Sequence, residues 1–171
     1  MNRFGVLSLC AITGLGLALL SGTALGQQKS LKEQLVGAWT LVSTDVVTPD
    51  GTKRQDFGAN PSGILILDAS GRYALVQGRP DRPKFKTSGN VRLDTPAAEY
   101  GEAARAFAAN FGTWSTNEAD KTLIRKYEAA LIPNVEGAET KVAVSFAGDD
   151  LRMTGLDGAG QKTETVYRRA K

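Results

Sequence analysis

Turn signals punctuate the chain at short, regular intervals: Thr48-Pro-Asp-Gly51, Asp68-Ala-Ser-Gly71, Asn117–Asp120, Gly148-Asp149-Asp150 and Asp157–Gly160. Proline, glycine, aspartate and asparagine set or tolerate the backbone angles of tight reversals, and β-branched and aromatic residues fill the runs between them. Those runs are Trp39–Val47, Gly63–Asp68, Arg72–Gln77, Phe111–Glu118, Thr122–Ala129, Thr140–Phe146, Leu151–Gly155 and Thr163–Arg168. Strands joined by such short turns pair antiparallel. Eight of them in up-and-down order can close into a barrel whose interior holds side chains or one small ligand. The expected fold is therefore mainly β, an eight-stranded antiparallel up-and-down barrel.

One stretch interrupts this rhythm after about the third strand. Ala97 to Ala109 is rich in alanine with glutamate and arginine interleaved; Thr95 or Asp94 can cap it, and Pro96 suits the first helical position. Its narrow apolar stripe of Tyr100, Ala103, Ala104, Phe107 and Ala108 predicts a helix docked over an opening or on the side of the sheet. A single helical turn is expected earlier, at Ser30–Leu35, where Ser30 and Glu33 have the spacing of a capping box. The connector before the long helix carries Arg79, Arg82, Lys84 and Lys86 around Phe85. It reads as a solvated link, or as a mouth loop that steers an anionic ligand.

Residues 1–26 have the form of a signal peptide: Arg3, an apolar run from Val6 to Leu20, then Ala24 and Gly26 before a cut at Gln27. That run is shorter than the roughly 20 residues of a spanning helix, so cleavage without a lasting membrane anchor is expected. Residues 27–171 then form one domain, periplasmic or secreted, of ordinary single-domain size. The lone cysteine, Cys10, leaves with the signal, and its setting after Leu9 does not suit lipid attachment. The chain has no histidine at all, which removes the commonest general base, the commonest metal ligand and every Ser-His or Cys-His arrangement. Lysines plus arginines number 21 against 18 acids, interspersed, so nucleic acid is not an expected partner. Asp149-Asp150 and Asp157 belong to turns and lack the pattern of a calcium loop, so neither a metal nor another cofactor is expected.

Alternation assigns inward faces: Trp39, Leu41, Ser43 and Asp45; Tyr73, Leu75 and Gln77; Trp114 and Thr116; Val142, Val144 and Phe146; Leu151 and Met153. If Leu123 points inward, Arg125 and Tyr127 follow it, and an arginine there can grip a ligand carboxylate or phosphate with two parallel hydrogen bonds. The expected cavity lining is Trp39, Leu41, Tyr73, Leu75, Trp114, Arg125, Tyr127, Val142, Val144, Phe146 and Met153. A mostly apolar lining with a few polar groups suits a small-molecule pocket and a solidly packed barrel alike. Tyr73, Tyr127, Asp45 and Glu128 are the strand residues able to do acid–base work, but no pair has diagnostic spacing, so no catalytic residue is assigned.

The order Leu35-Val-Gly-Ala-Trp-Thr-Leu-Val-Ser43, Phe57-Gly-Ala-Asn-Pro-Ser-Gly63, Gly71-Arg-Tyr73, Phe111-Gly-Thr-Trp-Ser115 and Tyr167-Arg-Arg169 resembles the bacterial lipocalin-like domain family across essentially the whole mature chain. The resemblance implies a lipocalin-related barrel closed at one end by Gly37 and Trp39. An arginine from the last strand would lie over the indole. That role falls to Arg168 or Arg169; Arg168 is taken here, and strand register decides between them. Relatives of this type carry histidines where this chain has Ile124-Arg-Lys-Tyr-Glu128, so any activity resting on those histidines is lost here.

The expected function is binding of a small hydrophobic or amphipathic molecule, which can be anionic, by an exported barrel. The alternatives are a histidine-independent isomerase or cyclase, with Tyr127 or Arg125 polarising its substrate, and a packed envelope scaffold that holds no ligand.

Overall fold

Each short turn signal reverses the chain as expected: the Gly71 amide donates to the Asp68 carbonyl at 3.0 Å, and the Gly160 amide to the Asp157 carbonyl at 3.0 Å. The computed structural model describes residues 29–157 and 160–171, so the signal segment at 1–26 lies outside the described residues. Along the chain run α1 (Leu31–Leu35), β1 (Gly37–Val47), β2 (Lys53–Arg54), β3 (Ser62–Leu67), β4 (Arg72–Gly78), α2 (Val91–Asp94) and α3 (Ala97–Arg105). β5 (Phe107–Asn117), β6 (Thr122–Ala130), a 3₁₀ turn (Pro133–Val135), β7 (Glu139–Ala147), β8 (Asp150–Leu156) and β9 (Lys162–Arg169) follow.

The sheet runs β1-β3-β4-β5-β6-β7-β8-β9, every neighbour antiparallel, and β9 returns to pair with β1. This is the expected closed barrel of eight strands, three before the helical insert and five after it. The two-residue β2 adds a short flap to the far end of β1.

One end of the barrel is sealed. Ser30 caps α1 in a reciprocal capping box with Glu33. The Glu118 carboxylate, reaching from the β5–β6 turn, accepts the exposed amides of Leu31 at 2.9 Å and Lys32 at 3.3 Å. Leu31 and Leu35 are buried in the barrel floor, and the Trp39 indole nitrogen donates to the Leu35 carbonyl at 2.8 Å. Register pairs Trp39 with Arg169, and the Arg169 guanidinium lies 4.1 Å from the indole centre while donating to the Gln34 and Val36 carbonyls at 2.5 and 3.2 Å. Arg169, not Arg168, is the closing arginine. Arg168 falls on the outer face, where it pairs with Asp150 at 2.8 Å, because Tyr167 takes the inward position and alternation returns inward at 169. Gly37 has φ +134°, and a Cβ there would come within 3.1 Å of the Arg169 guanidinium, so glycine serves both backbone and clearance.

Two irregularities redirect the alternation. Between Leu41 and Ser43 the β1–β9 register slips by one residue, leaving Val42 extra. Thr44 and Val46 consequently turn inward, whereas Ser43 and Asp45, expected inside, lie outside beside Lys53 and Glu164. A second slip sits at Phe111/Gly112 opposite Glu128, and there a Cβ on residue 112 would fall inside the van der Waals shell of the Lys126 carbonyl oxygen.

The helix is shorter than expected. α3 ends at Arg105, with Pro96 as its cap position and no side-chain cap, and Phe107–Asn110 belong to β5, paired with Gly78–Leu75. Alanine in the unpaired segment favours a helix only weakly; the free edge of β4 offers a full hydrogen-bond ladder and wins. Thr95 and Asp94 close the short α2 instead. Phe85 of the connector packs on Tyr100 with ring centres 5.0 Å apart, and Arg82 lies over Phe107 at 4.5 Å.

The core fills the sealed half: Trp39, Leu41, Leu65, Leu67, Tyr73, Trp114, Leu123, Leu151 and Tyr167 are among its buried members. Leu65 and Leu67 point in, while Ile64 and Ile66 stay on the outer face, so this strand is apolar on both sides. The Trp114 indole donates to the Asp68 carbonyl at 2.9 Å, so both tryptophans place their polar edge on a backbone carbonyl, one at a turn and one at the end of α1. Burial pushes Tyr73 and Tyr167 up to about 12, the nearby Arg125 charge opposing it in both.

Gly112→Ala is expected to cost about 3 kcal/mol or more, read by chemical denaturation, because backbone and not a side chain must move. Arg169→Ala should cost about 1–2 kcal/mol by the same measurement, and Arg168→Ala, which breaks an exposed ion pair, far less. In an ultraviolet titration two of the four tyrosines should ionise only near pH 12. The folded chain holds those protons more tightly than the unfolded chain, so stability is untouched below the ordinary value of 10.0 and is lost as pH rises towards about 12.

Candidate functional site

Above the packed floor the strands diverge around a cavity of about 270 Å³ that opens at the unsealed end. Its wall combines Leu75, Val142 and Met153 with Gln77, Asn110, Arg125, Tyr127 and Tyr167, and its rim carries Ala108, Leu156, Asp157 and Thr163. Each position follows from the pairing: Leu123 is fully buried, so Arg125 two residues on faces the interior, beside Trp114 on one flank and Thr140 on the other. The condition set by the alternation of β6 is thereby met.

The expected lining residues divide by depth. Leu75, Arg125, Tyr127, Val142 and Met153 line the cavity. Trp39, Leu41, Tyr73, Trp114, Val144 and Phe146 also point inward but lie below it, in or against the packed core, with Trp39 and Phe146 rings 6.2 Å apart. They form the floor, a correction to their placement in the wall. Alternation separates inside from outside but says nothing about height along the barrel axis. Thr44, Asn110, Thr165 and Tyr167 were missed as lining. Thr44 and Asn110 lie next to the two irregularities, and Tyr167 was read from the family ending and not from its face.

Arg125 is 8% exposed, the one charged side chain among the described residues that is buried. Its guanidinium sits 5.7 Å from the centre of the Tyr73 ring, and its Nε has no hydrogen-bond partner. The other buried side-chain atoms without a partner among the described residues are the Tyr73 hydroxyl, Asn110 Oδ1 and Thr140 Oγ1. Elsewhere the cavity is quiet: the Tyr167 hydroxyl donates to Gln77 at 3.4 Å, and the Thr44 and Thr165 hydroxyls share a bond of 3.0 Å.

The acid–base candidates scatter. Glu128 is on the outer wall, hydrogen-bonded to Arg72 at 2.8 Å, and that contact holds its carboxyl below the usual range. Asp45 is also outside, 3.6 Å from Lys53. Tyr73 lies beneath the cavity, and Tyr127 alone of the four lines it. Among the described residues no group of three or more potential ligands is placed to hold a metal ion, and no helix is long and apolar enough to cross a membrane. The helical insert contributes no residue to the cavity wall; α3 and its connector instead frame a separate charged surface recess with Arg79, Arg82 and Arg105.

No curated protein sequence matches the chain. Among solved structures, a redesigned β-barrel shares 11% identity, covering 84% of this chain and 98% of its own, with a TM-score of 0.43. A mutant of the fluorescent protein UnaG shares 16% identity, covering 81% and 97%, with a TM-score of 0.38. The family model described as a lipocalin-like domain matches residues 36–169, which spans every strand of the barrel. The chain belongs to the lipocalin-like domain family.

Proposed function

We propose that this protein is an exported binding protein that holds one small amphipathic molecule inside its barrel. The observation that carries the reading is the cavity of about 270 Å³ at the open end, whose wall sets the apolar side chains of Leu75, Val142, Met153 and Leu156 among polar ones that include Gln77, Asn110, Arg125 and Tyr127. At roughly 30 Å³ per water in the liquid, that is room for about nine waters. Apolar walls supply affinity through burial, and the polar groups set orientation. The scaffold alternative calls for side chains filling the barrel throughout, and here they fill only its sealed half. For an isomerase or cyclase the cavity offers Arg125 and Tyr127, while Asp45 and Glu128 face away from it, so neither of those carboxylates can act beside them as a base on a bound substrate.

Export rests on the amino-terminal pattern of Arg3, an apolar run and small residues before Gln27. Amino-terminal sequencing of protein from the host's periplasm or medium should begin at Gln27; a cytoplasmic chain that retains residues 1–26 would remove this part of the reading. For the cavity, titration with the uncharged fluorophore N-phenyl-1-naphthylamine should give a saturable rise in emission with one site per chain. Ala108→Phe, which fills the rim, should abolish it. A linear, unsaturable response in the natural protein would count decisively against an interior site.

A further inference from the structure

We propose that the molecule held in this barrel is a monocarboxylate inserted head first, its carboxylate gripped by the Arg125 guanidinium at the cavity floor. The inference rests on the interior binding site proposed above and assigns its chemistry.

Every other ion-paired or stacked arginine described here has a use that explains it. Arg54 pairs with Asp56, Arg72 with Glu128, Arg79 with Asp81 and Arg168 with Asp150, all at the surface, and Arg169 seals the floor. Arg125 is the exception: buried, lining the cavity, and without a carboxylate or hydrogen-bond acceptor among the described residues. A largely buried guanidinium with no counter-ion carries a desolvation cost, and a carboxylate answers that cost with two parallel charge-assisted bonds. The one carboxylate on the cavity rim, Asp157, already accepts the Gln161 amide at 2.8 Å within its own turn.

Two further unsatisfied hydroxyls stand beside Arg125, just behind the cavity wall. Thr140 is the cross-strand partner of Arg125, and the Tyr73 ring lies against the guanidinium; both hydroxyls are buried and unpartnered. Each can donate to a carboxylate oxygen. Because burial pushes Tyr73 up to about 12, its phenol keeps its proton and presents no competing negative charge. Among the described residues no second cation lines the cavity, which matches one negative charge and argues against a doubly charged phosphate monoester. Depth sets the orientation: Arg125 lies two residues above fully buried Leu123, so the apolar part extends from the guanidinium towards Leu156 at the rim.

The test compares decanoate with decan-1-ol, equal in chain length and different in head group, by displacement of N-phenyl-1-naphthylamine from the full mature protein. Decanoate should be preferred by at least about tenfold, the worth of one charge-assisted pair. The preference should survive 1 M sodium chloride, since a buried pair is weakly screened. In Arg125→Met, with folding checked by circular dichroism, the ratio should fall to about one or below, and Arg125→Lys, which keeps the charge but not the fork, should restore part of it. Equal or better binding of decan-1-ol to the natural protein overturns the inference without needing any variant. So does a preference that persists in Arg125→Met, or one that vanishes in salt as attraction to the exposed Arg79 and Arg82 would. If the fluorophore and decan-1-ol bind but decanoate gains nothing, the interior site stands and the head-group assignment falls; if no probe binds, both fall.

Discussion

The pairing of β1 with β9 makes an inside. Without those edge-to-edge bonds the eight strands would form an open sheet with one solvated face, and neither cavity nor floor would exist. The two edges lie far apart in sequence, so their meeting carries a large closure entropy, and the sealed end is where it is offset. There Trp39, Arg169, Gly37 and the carbonyl end of α1 meet in one cluster. Arg169 does two jobs at once. Its flat face covers the indole and its edge satisfies carbonyls that a five-residue helix leaves without intrahelical partners. Glu118 does the complementary work for the amides at the opposite end of α1, so the plug is held at both termini by residues from distant strands.

A seal at one end leaves the other free to differ. The sealed half packs two tryptophans, Tyr73 and a set of leucines against one another, while the open half accepts an interior void lined by Arg125. Three of the four buried side-chain atoms without a partner among the described residues are Arg125 Nε and the hydroxyls of its neighbours Tyr73 and Thr140; native interiors hold few such atoms, and this grouping marks a place where packing has yielded to another requirement. The rigid half fixes the register of every strand, and that register positions Arg125 between Trp114 and Thr140.

Much of this was legible in the chain. Tight-turn chemistry at Asp68–Gly71 and Asp157–Gly160, the capping box at Ser30 and Glu33, and strict alternation in β4 and β7 are local signals, and each maps onto an element. What failed depends on partners distant in sequence. The bulge at Val42 turned Ser43 and Asp45 outward, and no single-strand pattern announces a slipped register. Phe107–Asn110 became strand because the β4 edge lay beside them, overriding a weak helical preference. Arg168 and Arg169 are neighbours of identical type, so only the pairing with Trp39 separates them. For the site, the face of Arg125 was readable from Leu123, but height along the axis was not, which is why Trp39, Trp114 and Phe146 proved to be floor and not wall.

The buried arginine also bears on stability. A largely buried guanidinium without a counter-ion lowers the stability of the empty barrel, and a residue such as methionine would remove that penalty. Retaining arginine is sensible for a binding protein and unhelpful for a scaffold, since only the former recovers the cost when a counter-ion arrives. An anion bound at this level would stabilise the folded state by mass action and simultaneously satisfy the Thr140 and Tyr73 hydroxyls. The empty and filled barrels would therefore differ most in the open half, while the Trp39–Arg169 seal, separated from the cavity by the buried layer of Leu41, Leu123 and Leu151, stays as it is.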